Sequence, residues 1–169
     1  MSIVPTIIDR VQRGMLYHFY PRSQRDLRIR ELYLTETLWN QLNSEPSTNA
    51  EIQRIAELEA DLEVFVTRKQ LHPEYLFGLD PPGCGVWEIR SKYDPQLRVF
   101  GMFVAKDRFI ATHFENRNEL GNFDSEDWKL AKKKTKAQIR QLIYPFQPLF
   151  DSSIQTLITG AMNERYFRN

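Results

Sequence analysis

The stretch GVWEIRSKYDPQLRVFGMFVAKDRFIATHFENRN, residues 85 to 118, dominates the fold that the sequence predicts. Three short segments within it are rich in β-branched and aromatic residues, and turn residues separate them at positions 92–95 and 106–108. Such runs between turn residues are typical of consecutive antiparallel strands. The stretch therefore predicts a meander of three strands in which arginines interrupt the apolar alternation.

Two of these arginines are expected to face each other. A turn centred on Asp94 places Arg90 directly opposite Arg98, and opposed like charges destabilise a sheet. The pair therefore makes more sense with an anion between the two side chains. That anion is either a phosphate, which guanidinium groups bind bidentately, or the carboxylate of Glu88, which shares a face with Arg90.

The third arginine follows the last predicted strand. A turn centred between Asp107 and Arg108 would place Arg117 opposite Arg98, whereas a slip of one residue would point Arg117 to the other face. His113 lies in the same segment. It is the only side chain near these arginines whose ordinary pKa is close to neutral, so it is the candidate proton donor or acceptor.

Length and composition indicate one globular domain. The chain has 169 residues, of which 41% are hydrophobic and 27% charged, and these are ordinary values for a domain with a proper core. Its only cysteine is Cys84. No apolar run approaches the roughly 20 residues of a membrane helix, and the N-terminus lacks the features of a secretion signal. We expect a cytoplasmic protein without a membrane partner.

The sequence gives no support for a cofactor or metal site. Nucleotide-binding glycine motifs are absent. The three histidines, His18, His72 and His113, lack the spacing of metal ligands. We therefore expect neither a bound cofactor nor a metal ion.

Positive charge is concentrated in the C-terminal half. Residues 1–80 contain nine Lys/Arg and twelve Asp/Glu, whereas residues 81–150 contain twelve and eight. Between positions 128 and 150 no acid occurs. Such a segment is typical either of a surface that binds nucleic acid or of a solvated helix face. The residues predicted to bind RNA are Lys129, Lys132, Lys133, Lys136 and Arg140.

Apolar periodicity predicts helices on both sides of the meander. We expect a short helix near residues 5–15, an amphipathic helix over 50–68, a helix from Asp124 or Ser125 to Pro145, and a final helix over 151–163. Residues 27–34 fit either a first strand or the start of a helix, with Thr35 or Thr37 as a helix cap. The acidic face of the 50–68 helix is expected to be solvated.

The order of these elements and their motifs resembles the RelE/HigB/ParE toxin superfamily, in particular its phage-derived branch. The motifs that carry the resemblance are G-V-W-E-I-R, then L-R-V-F, then I-A-T-H-F-E-N-R followed by a helix. The match covers residues 80–140. Residues 30–80 match only in the order of their helical segments, and both ends of the chain lie outside it.

The resemblance implies an α+β fold with a small antiparallel meander sheet and helices packed on one face. It divides the chain into an N-terminal extension (1–26), a RelE-like domain (27–150) and a C-terminal helix or tail (151–169), all within a single domain. Active members of the superfamily bind the ribosome and cut mRNA without a metal. Carried over, the catalytic residues are Arg98, Arg117 and Arg90, with His113 added as the candidate base or acid, and an antitoxin-like protein is an expected partner.

Several positions depart from the pattern of active relatives. Val86 and Glu88 stand where those relatives often have lysines, and Asn116 replaces one of two paired basic residues. The sequence therefore leaves three hypotheses. The chain is a metal-independent endoribonuclease of a toxin–antitoxin system, an inactive descendant that binds RNA or the ribosome, or a module that binds a protein partner.

Overall fold

The computed structural model describes residues 2–23 and 27–168. Within this part of the chain there are six strands and five helices. The strands are β1 (Leu16–Phe19), β2 (Glu31–Thr35), β3 (Leu76–Gly78), β4 (Val86–Arg90), β5 (Leu97–Ala105) and β6 (Arg108–Asn116). The helices are α1 (Val4–Gln12), α2 (Glu36–Asn43), α3 (Asn49–Thr67), α4 (Glu126–Ile143) and α5 (Ile154–Leu157).

All six strands form one sheet in the order β1-β2-β6-β5-β4-β3. The predicted α+β class is confirmed, and β4, β5 and β6 form the predicted antiparallel meander. The prediction of a small, wholly antiparallel sheet is wrong, because β2 pairs with β6 in parallel. Parallel neighbours need a long crossover, which α2, α3 and the meander itself provide here.

Helices cover both faces of this sheet, so the prediction that they pack on one face is wrong. Leu62 of α3 packs with Val99 and Phe103 of β5 in one core cluster. Trp128 of α4 packs with Phe100 in the other. The physical reason lies in β5, whose apolar residues point alternately to the two faces, and a strand of this kind must be covered on both sides.

Hydroxyl side chains cap the N-termini of three helices, α2, α3 and α4. Thr35, Thr48 and Ser125 each accept a hydrogen bond from the backbone N–H three residues further on. Residues 31–35 form a strand that ends at the cap of α2, which resolves the ambiguity of residues 27–34. The predicted final helix over 151–163 is wrong in length, because only Ile154–Leu157 is helical.

Both predicted extensions belong to the same folded unit. β1 pairs with β2, and α1 packs in the same core cluster as α4. At the other end, the carbonyl of Tyr166 accepts a hydrogen bond from Gly78 N at 2.8 Å. The predicted boundary at residue 26 and the terminal Asn169 lie outside the described residues.

Within the described residues, no helix combines the length and apolar character that crossing a membrane requires.

The side chain of Arg30 is completely buried where several segments meet. Its Nε lies 3.6 Å from Oδ1 of Asp107 in the β5–β6 turn. Its terminal nitrogens donate to the backbone carbonyls of Phe65, Arg68, Lys69 and Thr159. Carbonyls at a helix C-terminus have no partner within the helix, and Arg30 satisfies those at the end of α3. It thereby ties α3 to the C-terminal segment.

An Arg30→Met variant is expected to lose about 3 kcal/mol of unfolding free energy, because buried carbonyls are left without donors. Guanidinium-induced unfolding measures the loss. The matched control is Arg28→Met, since Arg28 is exposed and lies over the Tyr20 ring at 5.6 Å. The control is expected to stay within about 0.5 kcal/mol of wild type. Equal effects of the two substitutions would contradict this role of Arg30.

Candidate functional site

Glu88 occupies the space between the two opposed arginines. The register pairs Arg90 with Arg98, as the sequence predicts. The Glu88 side chain is fully buried, with Oε1 2.5 Å from Arg90 Nε and Oε2 3.6 Å from Arg98 Nε. The sequence predicted either a phosphate or the Glu88 carboxylate beside these arginines, and the Glu88 carboxylate contacts both of them. Its single negative charge offsets one of the two positive charges and so reduces their repulsion across the ladder.

Both guanidinium groups make further contacts with protein groups, although Arg98 Nε has no hydrogen-bond partner among the described residues. Arg98 is 8% exposed, and its Nη1 and Nη2 donate to Leu97 O at 3.1 Å and to Gln96 Oε1 at 2.9 Å. Burial lowers the pKa of Arg98, while the Glu88 carboxylate acts in the opposite direction. The Arg90 guanidinium carbon lies 4.1 Å from the centre of the Phe77 ring. Both guanidinium groups are therefore used in holding the sheet surface together.

Arg117 does not lie opposite Arg98. The β5–β6 turn pairs Ala105 with Arg108, so its centre lies one residue earlier in the chain than predicted. The partner of Arg98 is therefore Glu115. Arg117 follows the end of β6, where its Nη1 donates to Gly121 O at 2.8 Å. Its guanidinium carbon lies 4.8 Å from the centre of the Phe123 ring. The structure thus places Arg117 in the connection to α4.

His113 lies in the interior, at a bulge in β6. The ladder pairs Phe100 with His113 and Gly101 with Ala111, which leaves Thr112 as the extra residue. The His113 ring stacks on Phe100 at 5.1 Å, and its Nδ1 lies 2.9 Å from Thr112 Oγ1. Burial lowers the pKa of His113 to about 3. The ring is therefore neutral near pH 7, and the charged form that a proton donor requires is not populated.

One acid that the sequence predicts on the solvated face of α3 is also buried. Asp61 is 8% exposed, and burial raises its pKa to about 6. It lines a cavity of about 880 Å³ beside Tyr75 and Lys92. The remaining acidic face is partly paired, since Arg22 contacts Glu59.

The predicted RNA-binding residues share a different location. A cavity of about 620 Å³, here called the α4 cavity, lies between α4 and two loops. Its lining includes all five predicted cations: Lys129, Lys132, Lys133, Lys136 and Arg140. Positions separated by three and four residues lie on one face of a helix, so this spacing brings the cations together. None of Arg90, Arg98, His113 and Arg117 lines the α4 cavity.

Four of the five cations have no acidic partner within 4.0 Å, and three of these four also make no side-chain hydrogen bond in the described part of the chain. Lys129 Nζ lies 2.7 Å from Glu126 Oε1, and Lys132 Nζ donates to the carbonyl of Asp80 at 2.8 Å. Lys133, Lys136 and Arg140 are exposed, and in the described part of the chain no carboxylate oxygen lies within 4.0 Å of their charged atoms. The α4 cavity is therefore a place where an anion gains favourable electrostatic energy.

The apolar walls of this cavity were not predicted from the sequence. They comprise Pro81, Cys84, Met102, Pro148 and Phe150. The available signal was the pair of loops that carry Gly83 and Pro148, since loops of this composition often border a site. Their position beside α4 depends on contacts between distant parts of the chain.

The chain gives no significant match to any family model, curated protein or solved structure. Across the described ranges, no group of three or more His, Cys, Asp or Glu side chains is arranged to hold a metal ion. Two candidate sites remain: the arginine cluster, formed by Arg90 and Arg98 around Glu88, and the α4 cavity.

Replacing Glu88 by Gln is expected to lower the unfolding free energy by about 3 kcal/mol, because two opposed arginines lose the buried charge between them. Chemical denaturation at low salt measures the change. Glu119→Gln is the matched control at an exposed position and should differ from wild type by less than about 0.5 kcal/mol. Wild-type stability of Glu88→Gln in phosphate-free buffer would show that the arginines do not depend on Glu88.

The ring of His113 is expected to stay neutral from pH 8 down to about pH 4, and NMR titration of its ring protons checks this. The unfolded ring has a pKa near 6.5, so the unfolded state binds more protons between the two pKa values. The stabilisation from the neutral ring is complete above pH 6.5 and is lost as the pH falls towards 3.

The same linkage predicts a difference in stability. The unfolding free energy of wild type minus that of a His113→Asn variant should fall by about 2 kcal/mol between pH 7 and pH 5. Asp61 titrates in both proteins, so its contribution cancels in the comparison. A constant difference across this range would contradict the lowered pKa.

Proposed function

We propose that this chain is an RNA-binding protein of the RelE-like type, which holds RNA on the basic side of α4 and does not cut it at the arginine cluster. The observation that carries the proposal is the α4 cavity, where five cations converge and four have no close acidic partner among the described residues. RNA is the expected anion because its phosphates repeat along the strand and contact several cations at once.

The arrangement of the central elements supports the RelE-like part of the proposal. Strand β2, helices α2 and α3, and the meander follow one another in the order on which the resemblance rests. The four central strands are ordered β2-β6-β5-β4, and both helices pack on one face of them. The helix that follows the meander in the resemblance corresponds to α4, and the chain adds β1 and β3 at the edges and α1 beside α4.

The geometry gives less support to cleavage. Transfer of the phosphate needs a base, an acid and cations available to the developing charge. The Glu88 carboxylate already contacts Arg90 and Arg98, and the buried ring of His113 stays neutral. The endoribonuclease hypothesis therefore remains a prediction from the sequence, and the inactive RNA-binding hypothesis is the one that the contacts favour.

The ribosome is the RNA partner that the resemblance supplies, with the cytoplasm as the compartment. An antitoxin-like protein is the second proposed partner. The described contacts favour the RNA, because five cations converge on α4 and four of them have no close acidic partner among the described residues.

Neutralising the three unpaired cations is expected to weaken RNA binding. The triple variant Lys133→Gln, Lys136→Gln, Arg140→Gln should bind a labelled 20-nucleotide RNA roughly tenfold more weakly by fluorescence anisotropy. The slope of log affinity against log salt should fall by about 2, since each lost phosphate contact removes roughly 0.7. The matched control changes Lys69, Lys92 and Lys106 to Gln, which removes the same charge elsewhere.

Equal effects of the two triple variants would contradict binding at α4.

The endoribonuclease hypothesis makes its own prediction. Induced expression in bacteria would then arrest growth with codon-phased mRNA cuts, and Arg117→Gln would relieve the arrest. Growth arrest of this kind would overturn the proposal that the chain binds RNA without cutting it.

A further inference from the structure

The α4 cavity combines its cations with an exposed aromatic ring. Phe150 is 48% exposed although it is a large apolar side chain, and it lines the cavity together with the buried Met102 and Cys84. An aromatic face beside a positively charged groove is the usual arrangement for binding single-stranded nucleic acid, because bases stack on the ring while cations hold the backbone.

The position of Phe150 is fixed by its neighbours. The N–H of Leu149 donates to Phe103 O of β5 at 2.8 Å, which anchors the segment to the sheet. Gly85 lies against the ring: a Cβ at this position would come within 2.9 Å of Phe150 Cδ1 and 2.8 Å of Met102 Cε. A Cβ here would force the ring or the methionine to shift, and the positive φ of Gly85 (79°) also favours glycine at this position. The aromatic wall is thus built into the fold.

The size and chemistry of the cavity fit one nucleotide. Its volume of about 620 Å³ lies within the range of roughly 300–1,000 Å³ that is typical of small-molecule sites. One wall offers Lys133, Lys136 and Arg140 to a phosphate. Phe150 offers an apolar surface to a base. A phosphate alone would leave this apolar surface unused, and an apolar ligand would leave the charges without a partner.

We propose that the α4 cavity holds one unstacked nucleotide of a single-stranded RNA, with its base on Phe150 and its phosphate on the α4 cations. This inference rests on the proposed RNA-binding function and adds its substrate class. A base within a duplex is stacked on both sides and must be flipped out at a cost before it reaches the ring. Single-stranded RNA is therefore bound in preference to duplex RNA of equal length.

The test compares Phe150→Ala with wild type on a labelled single-stranded 10-nucleotide RNA and on the same sequence as a duplex. Loss of one stacked base should weaken single-strand binding roughly tenfold and leave the salt slope unchanged, because no phosphate contact is removed. Duplex binding should not change. Phe150→Trp should keep wild-type affinity, and Tyr144→Ala, at an exposed aromatic outside the cavity lining, should have no effect.

The outcomes separate this inference from the function on which it rests. If the triple cation variant weakens binding but Phe150→Ala does not, RNA binds through phosphates alone, and the nucleotide pocket is overturned while the RNA-binding function stands. If neither variant has an effect, both proposals fail. A decaglutamate peptide that binds as tightly as the RNA, with no dependence on Phe150, would show that the surface takes an acidic protein and would overturn the inference.

Discussion

The buried Arg30 guanidinium is the interaction on which most of the architecture depends. It satisfies carbonyls at the end of α3 and in the C-terminal segment, and it faces Asp107 in the β5–β6 turn. The next residue, Glu31, donates its N–H to Asp107 O at 2.8 Å. These contacts hold the start of β2 beside the start of β6 and so require the two strands to run in parallel. The meander then lies inside the sheet, with helices on both faces.

Buried arginines and exposed cations have different consequences in this chain. The terminal nitrogens of Arg30 and Arg98 donate to carbonyls and a side-chain amide of the protein itself, and each Nε lies 3.6 Å from a carboxylate oxygen, so these groups are used mainly within the fold. The α4 cations point to solvent beside a cavity and keep their charge. An arginine within an apolar strand is therefore a weaker indication of a phosphate site than cations that share one face of a helix.

Much of the secondary structure could be predicted, because it depends on local patterns. Alternation and turn residues predicted β4, β5 and β6, and Ser125 was one of two expected caps of α4. The opposed pair Arg90 and Arg98 followed from turn length alone. The short strands β1 and β3 carry too few residues for a pattern. The parallel pairing of β2 also escaped prediction, because it joins residues more than seventy positions apart.

By itself, the sequence determined the α+β class, the meander and the concentration of positive charge on α4, since each follows from residue type and spacing within one element. Only the tertiary structure decided which charges are balanced. The pairing register brings Glu88 between two arginines, and the bulge at Thr112 turns His113 into the core. It also decided that Phe150 lies beside the α4 cations. The physical reason is that burial and pairing arise from contacts between distant segments, and the periodicity of residues within one element does not predict those contacts.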